Sequence, residues 1–278
     1  MSEPCALGRA EILERLHAMH APAVLVHRSP DGDAIGSAVA TVRYLRARGI
    51  AATLLLPDGL PERLAFLAED VSLCEGSPRE IVSVDVASLA QAGVAASAVA
   101  AAECVISIDH HATSTPFAPH YTCADASATG EILYDLFSEG GRLPLPLSLA
   151  TPLYAAIASD TGGFRFRNAG AAAHRAAAAL LEAGVDAADI SRRLFELRTD
   201  GELAAMAYAA TAAVSCFGGR VSVLTVPVTL PATLGCAESD FDAVIDTVRA
   251  RHGVEIAAVI RAARAGAPLE GAVRRLPQ

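Results

Sequence analysis

One short apolar run limits the possible folds more than any other stretch of this chain. Residues 104–108 read Cys-Val-Ile-Ser-Ile, and Asp109, His110 and His111 follow them directly. A run of this length and character is typical of a buried strand, which exposes the residues after it at one edge of a sheet. We therefore expect three side chains that can bind metal ions to lie together at a strand end.

Similar apolar segments alternate with helical patterns through the first 160 residues. Strands are predicted at residues 23–27, 51–56, 81–84 and 104–108, and helices at residues 9–20, 33–48, 61–68, 126–138 and 147–159. This alternation predicts right-handed βαβ units and an α/β domain built on a parallel sheet, with helices on both faces. In such sheets, functional residues gather beyond the carboxyl ends of the strands.

The pattern changes in the second half of the chain. A short extended piece is predicted at residues 164–167, a helix at 169–183, a hairpin at 212–226 around Gly218-Gly219, a helix near 238–251 and strands at 254–262 and 269–274. We therefore predict a catalytic α/β domain at residues 1–185, a helical linker at 186–200 and a smaller α+β domain at 201–278, which we expect to be incomplete.

Composition excludes several classes of function. The 22 basic and 31 acidic residues give a net charge of −9, and the absence of a basic run excludes binding of long nucleic acid through its phosphate backbone. Every basic residue is arginine, which excludes a Walker-type phosphate loop and Schiff-base chemistry. Six cysteines form no CxxC pair, so their spacing suggests neither zinc nor disulfides, and Cys104 in the apolar run is interpreted as a core thiol. With no signal peptide and no membrane span recognisable, we expect a cytoplasmic protein with no membrane partner.

Acidic and imidazole side chains recur at the ends of the other apolar segments. They are His27, Asp31 and Asp33 around a Pro-Asp-Gly turn, Asp85 after residues 81–84, and Asp160 before Thr-Gly-Gly. So many acids in one place repel each other unless cations intervene, and the mixed His/Asp set suits Mn²⁺ better than Ca²⁺. Taken singly, each motif has an ordinary explanation as a solvated turn or a helix N-cap.

Three further residues are candidates for contact with a substrate phosphate. Ser127 and Thr129 open a predicted helix, where they either cap it or place a phosphate at its N-terminus. Arg165, like Arg167, follows the Asp160 turn and either meets a substrate phosphate or lies on the solvated surface.

Four of these motifs together resemble those of the DHH phosphoesterase superfamily. They are H-R-S-P-D-G-D-A-I-G-S at residues 27–37, the isolated Asp85, I-D-H-H at 108–111 and S-D-T-G-G-F at 159–164. The resemblance spans roughly residues 10–262 and is nearest to the oligoribonuclease and 3′,5′-bisphosphate phosphatase branch. It implies a Rossmann-like DHH domain, a helical linker and a smaller DHHA1 domain, and a homodimer is possible.

The resemblance also implies a specific role for each residue of the site. His27, Asp31 and Asp85 would hold one Mn²⁺, while Asp33, Asp85, His110 and Asp160 would hold a second, with Asp85 bridging the two. His111 would face the scissile phosphate and Asp109 would support it. The family's GGGH substrate-binding motif does not occur in this sequence.

The expected activity is hydrolysis of a phosphoester with two divalent ions. The expected substrates are short oligoribonucleotides, linear dinucleotides or 3′-phosphoadenosine 5′-phosphate. Two alternatives stay open because of the missing motif. One is a phosphatase of another small phosphorylated metabolite, and the other is a catalytically idle protein that binds nucleotides.

Overall fold

A computed structural model describes residues 4–241, 244–261 and 270–275. The chain divides into two compact units, Met1–Glu196 and Leu197–Gln278. The roles that we assigned to the predicted domains at 1–185 and 201–278, and the linker between them, stay predictions.

The first unit is built on a parallel sheet of five strands in the order β2-β1-β3-β4-β5. This confirms the predicted α/β fold class. The last strand was not predicted, because His-Tyr-Thr carries no apolar run and is only partly buried. The strands are β1 (Ala23–Leu25), β2 (Thr53–Leu55), β3 (Glu80–Val84), β4 (Cys104–Asp109) and β5 (His120–Thr122).

Helices cover both faces of this sheet, because alternate strand residues point to opposite sides. Val82 and Val84 belong to the larger core, which α1, α2, α4, α5 and α6 cover, whereas Ile81 belongs to the core that α3 covers. A 3₁₀ helix, Leu89–Ala95, adds to the second face. The helices of this unit are α1 (Arg9–His17), α2 (Gly32–Arg46), α3 (Ala96–Ala101), α4 (Thr129–Phe137), α5 (Leu147–Asp160), α6 (Ala171–Glu182) and α7 (Ala187–Ser191), with a 3₁₀ helix at Glu62–Leu67 and a π-helical turn at Arg192–Glu196.

The central helix α2 is buried along almost its whole length and packs closely on α5. A Cβ on Gly36 would lie 2.4 Å from the Pro152 carbonyl oxygen and 3.0 Å from the Ala156 Cβ. A Cβ on Gly130 of α4 would lie 2.4 Å from the same Ala156 Cβ. The three helices therefore meet at distances that only small residues permit.

The extended piece predicted at residues 164–167 is wrong. Gly162, Gly163 and Phe164 have φ values of 58°, 69° and 63°, so the chain turns through the left-handed region directly after α5. Two glycines adopt this conformation without strain. The amide of Phe164 donates to the Thr161 hydroxyl at 3.1 Å, which helps to hold the turn.

The second unit contains a four-stranded mixed sheet in the order β6-β7-β8-β9. The antiparallel pair of β6 and β7 is the predicted hairpin, and α8 was not predicted. Its elements are α8 (Asp200–Ala212), β6 (Val214–Cys216), β7 (Val221–Val226), α9 (Leu230–Leu234), α10 (Val244–Arg249), β8 (Ile256–Arg261) and β9 (Glu270–Arg275), with 3₁₀ helices at Phe217–Gly219 and Glu238–Phe241. Over the described ranges of both units, the helices are too short or too polar to cross a membrane.

The close contact between α2 and α5 gives a first prediction. Gly36→Ala is expected to lower the free energy of unfolding by about 1–3 kcal/mol, because the added methyl group must push the two helices apart. Gly170→Ala is the matched control, since its Cβ would come no closer than 3.9 Å to the Asn168 carbonyl oxygen. Chemical denaturation measures both changes, and equal losses in the two variants would contradict the packing argument.

Candidate metal centre

Three neighbouring strands deliver acidic and imidazole side chains to one edge of the sheet. Asp85 directly follows β3, and His27 lies two residues beyond the end of β1. Asp109 is the last residue of β4, and His110 and His111 come next. Because the strands are parallel, their carboxyl ends meet at the same edge.

Two helices add the remaining acids. Asp31 is the N-cap of α2, where its Oδ1 accepts from the amides of Asp33 and Ala34, each at 3.0 Å. Asp160 is the last residue of α5. A Cβ on Gly32 would lie 2.6 Å from the Ser159 Oγ, so a glycine is needed where the start of α2 meets the end of α5.

Three groups of ligand-competent side chains result, each with its potential ligand atoms within 4.8 Å of one another. In the first group, His27 Nε2 lies 3.5 Å from Asp85 Oδ2 and 4.0 Å from Asp31 Oδ1. In the second, His110 Nε2 lies 3.3 Å from Asp160 Oδ2 and 3.9 Å from Asp33 Oδ2. The third combines Asp85, His110 and His111.

Asp85 stands between the first two groups. Its Oδ2 faces His27 at 3.5 Å, and its Oδ1 faces His110 Nε2 at 3.6 Å. Its backbone has a φ of 59°, a conformation that residues other than glycine adopt at a cost of roughly 1 kcal/mol or more. The amide of Asp85 donates to the Ile108 carbonyl oxygen at 3.0 Å, which ties this strained residue to β4.

Asp33 is fully buried and accepts three hydrogen bonds. Sequence reasoning predicted none of these three contacts. The Ser37 hydroxyl donates to Oδ1 at 2.9 Å, as does the Gly130 amide at 2.9 Å. The Thr129 amide donates to Oδ2 at 2.7 Å. The i,i+4 spacing of Asp33 and Ser37 on a helix was a usable signal. The contact with α4 spans almost 100 residues of sequence, so no local sequence pattern could have indicated it.

Near Asp160, Asn168 was also missed. Its Nδ2 donates to the carbonyl oxygens of Ser127 and Asp160, each at 3.1 Å, and so joins the end of α5 to the start of α4. The Ser127 hydroxyl donates to Glu131 Oε2 at 2.6 Å. Arg165 is exposed, and its Nε donates to the Gly162 carbonyl oxygen at 2.6 Å. Contact of Ser127, Thr129 and Arg165 with a substrate stays a prediction.

The acids raise the pKa of two of the imidazoles. Burial alone would lower the pKa of His27, but its hydrogen bonds to Asp85 and to the Arg28 carbonyl, with the nearby charges, raise that pKa to about 9. Burial alone would also lower the pKa of His110, but its hydrogen bond to Asp160 and the charges of Asp85 and Asp160 raise that pKa to about 9. Both imidazoles are therefore protonated at neutral pH when the acids alone surround them.

Two of the acids, Asp31 and Asp33, have pKa values above their usual range. Burial and the charges of Asp85 and Asp160 raise the pKa of Asp31 to about 6. Burial and the same charges, with that of Asp31, hold the pKa of Asp33 well above its usual range. Divalent cations relieve this repulsion, and carboxylate oxygens with imidazole nitrogens are a donor set for Mn²⁺ and similar ions. The residues present therefore fit metal ions.

His111 and Asp109 form a couple at the side of this cluster. His111 Nδ1 lies 2.7 Å from Asp109 Oδ1, and His111 is partly exposed whereas Asp109 is buried. The bond to Asp109 is the main cause that raises the pKa of His111. Burial alone would raise the pKa of Asp109, but the hydrogen bonds from His111 and Ser114 and the charge of His111 together lower that pKa.

Comparison with known proteins points to the same kind of site. Residues 23–157 match the model of the DHH family, N-terminal domain. The chain is 31% identical over 268 residues to the bifunctional oligoribonuclease and PAP phosphatase NrnA of Thermus thermophilus, with 90% of this chain and 75% of that protein covered.

Two solved structures share the fold. The crystal structure of an exopolyphosphatase-related protein from Bacteroides fragilis superposes with a TM-score of 0.85 at 19% identity, covering 97% of this chain and 83% of that one. A putative family II inorganic pyrophosphatase from Methanococcus jannaschii gives a TM-score of 0.51 at 19% identity, covering 86% and 82%.

The parallel sheet, the acid and imidazole cluster at its carboxyl edge and these matches define a metal-dependent phosphoesterase. The chain belongs to the DHH family. The assignment of individual metal ligands within it stays a prediction.

The raised imidazole pKa values predict how metal binding depends on pH. A protonated imidazole cannot bind a metal ion, so binding must release the protons of His27 and His110. Affinity for Mn²⁺ is therefore expected to rise as the pH increases toward the pKa of about 9 and to level off above it. Isothermal titration calorimetry in buffers of different ionisation enthalpy measures both the affinity and the protons released.

Two variants sharpen this measurement. His27→Gln is expected to release about one proton fewer at pH 7. His20→Gln, whose side chain is 91% exposed outside the cluster, should behave as the unaltered protein. An affinity that stays constant between pH 6 and 9 would contradict the prediction.

Proposed function

We propose that this chain hydrolyses phosphoester bonds in short oligoribonucleotides, linear dinucleotides or 3′-phosphoadenosine 5′-phosphate, with two divalent ions, and releases a nucleoside 5′-monophosphate. The observation that carries the proposal is the position of Asp85, which turns one carboxylate oxygen to each of two ligand groups. One carboxylate shared by two donor sets can serve as a common ligand of two ions that together act on a phosphoryl group.

The two ions would be held by separate donor sets that share this acid. His27 and Asp31 complete the first set with Asp85, and Asp33, His110 and Asp160 complete the second. We propose Mn²⁺ because imidazole and carboxylate donors occur in both sets. When bound, such ions activate water as a nucleophile and neutralise charge on the phosphoryl oxygens.

The protein's own contribution to bond cleavage is assigned to His111. Its Nδ1 is engaged by Asp109, which fixes the ring and leaves Nε2 as the atom that can reach a substrate. The couple raises the pKa of His111, which favours the doubly protonated ring, whose Nε2 proton can be donated to the leaving oxygen. Asp109 then acts by orienting the ring and stabilising its charge.

The substrate class rests on charge and on the sequence relative. A net charge of −9 without a basic run disfavours long nucleic acid, whereas a short substrate can be held by its phosphates on metal ions. The relative from Thermus thermophilus is named for activity on oligoribonucleotides and on PAP. Contacts of Ser127, Thr129 and Arg165 with the substrate, and assembly as a homodimer, belong to this proposal.

A second candidate is a phosphatase of another small phosphorylated metabolite. The observation that favours it is the absence from this sequence of the family's GGGH motif. A panel of Mn²⁺-dependent assays on short RNA, linear dinucleotides, 3′-phosphoadenosine 5′-phosphate and sugar phosphates separates the two. Turnover of the sugar phosphates alone would favour the second candidate.

Asp85→Asn tests the two-ion site. It is expected to lower turnover of the best substrate by about 10³-fold, because metal-ion charge stabilisation is worth several kcal/mol. Asp70→Asn is the matched control, since Asp70 is an exposed acid paired with Arg43 away from the site. Equal rates for Asp85→Asn and the control would refute the assignment of Asp85.

His111→Gln tests the proton donor. Cleavage of a ribonucleotide, whose leaving alkoxide needs a proton, is expected to slow by about 10²–10⁴-fold. A nitrophenyl phosphodiester, whose leaving group departs without a proton, should be affected much less. Steady-state rates on both substrates measure the ratio, and an equal loss on both would refute a donor role for His111.

A further inference from the structure

The first residue of α4 contacts two acids that come from different elements. Thr129 is fully buried, its hydroxyl donates to Asp85 Oδ1 at 3.1 Å, and its amide donates to Asp33 Oδ2 at 2.7 Å. Asp85 follows β3, whereas Asp33 lies in the first turn of α2. One residue therefore joins two acids that belong to the proposed metal-binding sets.

The hydroxyl contact determines how the Asp85 carboxylate is turned. A carboxylate on a short side chain can rotate about its last bond over a broad range, so the side chain alone does not fix the plane of the Asp85 carboxylate. The Thr129 hydroxyl donates to Oδ1, the oxygen 3.6 Å from His110 Nε2, and so leaves Oδ2 directed at His27. The bond thereby selects the orientation that serves both ligand groups.

The amide contacts act on the second group alone. The amides of Thr129 and Gly130 hold both oxygens of Asp33, and the positive end of the α4 dipole favours its charged form. Asp33 belongs to the group with His110 and Asp160. Thr129 therefore supports the shared Asp85 through its hydroxyl and the second group through its amide.

We propose that Thr129 is a positioning residue whose hydroxyl orients Asp85 as the ligand shared by the two proposed ions. This inference rests on the proposed two-ion function. It does not depend on the substrate contact proposed above for Thr129, because the hydroxyl and the amide of Thr129 are both directed at acids of the cluster.

The test compares Thr129→Val, which keeps the shape and removes the hydroxyl, with Thr129→Ser, which keeps the hydroxyl. Titration with Mn²⁺ alone, followed by the electron paramagnetic resonance signal of the free ion, measures each binding step without substrate. Thr129→Val keeps the amide bond to Asp33 and loses only the hydroxyl bond to the shared Asp85, so it is expected to weaken both steps by about 10–100-fold. Thr129→Ser should retain both steps.

Kinetics provide a second readout. Loss of an oriented ligand should lower kcat more than it raises KM, because the ion acts in the transition state. Thr41→Val is the matched control, since Thr41 is a fully buried helical threonine whose hydroxyl donates to the Ser37 carbonyl oxygen. It should leave both Mn²⁺ steps unchanged.

Unchanged Mn²⁺ binding in folded Thr129→Val would overturn the inference, as would a loss of affinity in Thr129→Ser as large as that in Thr129→Val. If Thr129→Val does not fold, Thr129→Ala is compared with Thr129→Ser, and equal binding by these two would overturn it. Failure of the unaltered protein to hydrolyse any nucleotide would instead refute the proposed function. The ratio of the Mn²⁺ affinities of Thr129→Val and the unaltered protein would still decide the role of Thr129.

Discussion

Repulsion among four carboxylates is the constraint on which the first unit depends. Asp33 has no exposed surface and lies near Asp31, Asp85 and Asp160, whose charges all raise its pKa. Burying an uncompensated charge costs several kcal/mol, so each acid needs partners that persist in the folded chain. The positive charges of the protonated imidazoles supply part of that compensation. Divalent cations bound in place of the imidazole protons would supply more.

The N-terminus of α4 compensates part of the Asp33 charge with backbone amides, which cannot dissociate from the protein as a metal ion can. Backbone amides at the start of a helix have no partner within the helix, and two of them reach Asp33. The arrangement satisfies a buried acid and two helix amides at once. Position 130 needs a small residue for a different reason, because a Cβ there would lie 2.4 Å from the Ala156 Cβ of α5.

Sequence reasoning predicted most of the sheet and the convergence of the cluster, because apolar runs mark buried strands and parallel strands share an edge. It failed where structure depends on distant contacts. The strand β5 forms because His120 pairs with β4 and with Cys5, which no local pattern reveals. The alternation Phe-Arg-Phe-Arg at residues 164–167 suggested an extended piece, yet the glycines before it turn the chain. The contacts of Thr129 and Asn168 depend on tertiary placement of α4 and were equally hidden.

The packing of α2 against α5 makes the core part of the site. The two helices run antiparallel, so that Gly36 lies against Ala156 and Gly32 lies against Ser159. Asp33 stands one turn from the first of these contacts, and Asp160 directly follows the second. The distance between the two acids is therefore determined by how closely the backbones of α2 and α5 approach. A larger side chain at either glycine would separate the two acids without touching them, because a packed interior transmits displacement along rigid helices. The geometry of the candidate metal centre thus depends on small residues that have no chemistry of their own.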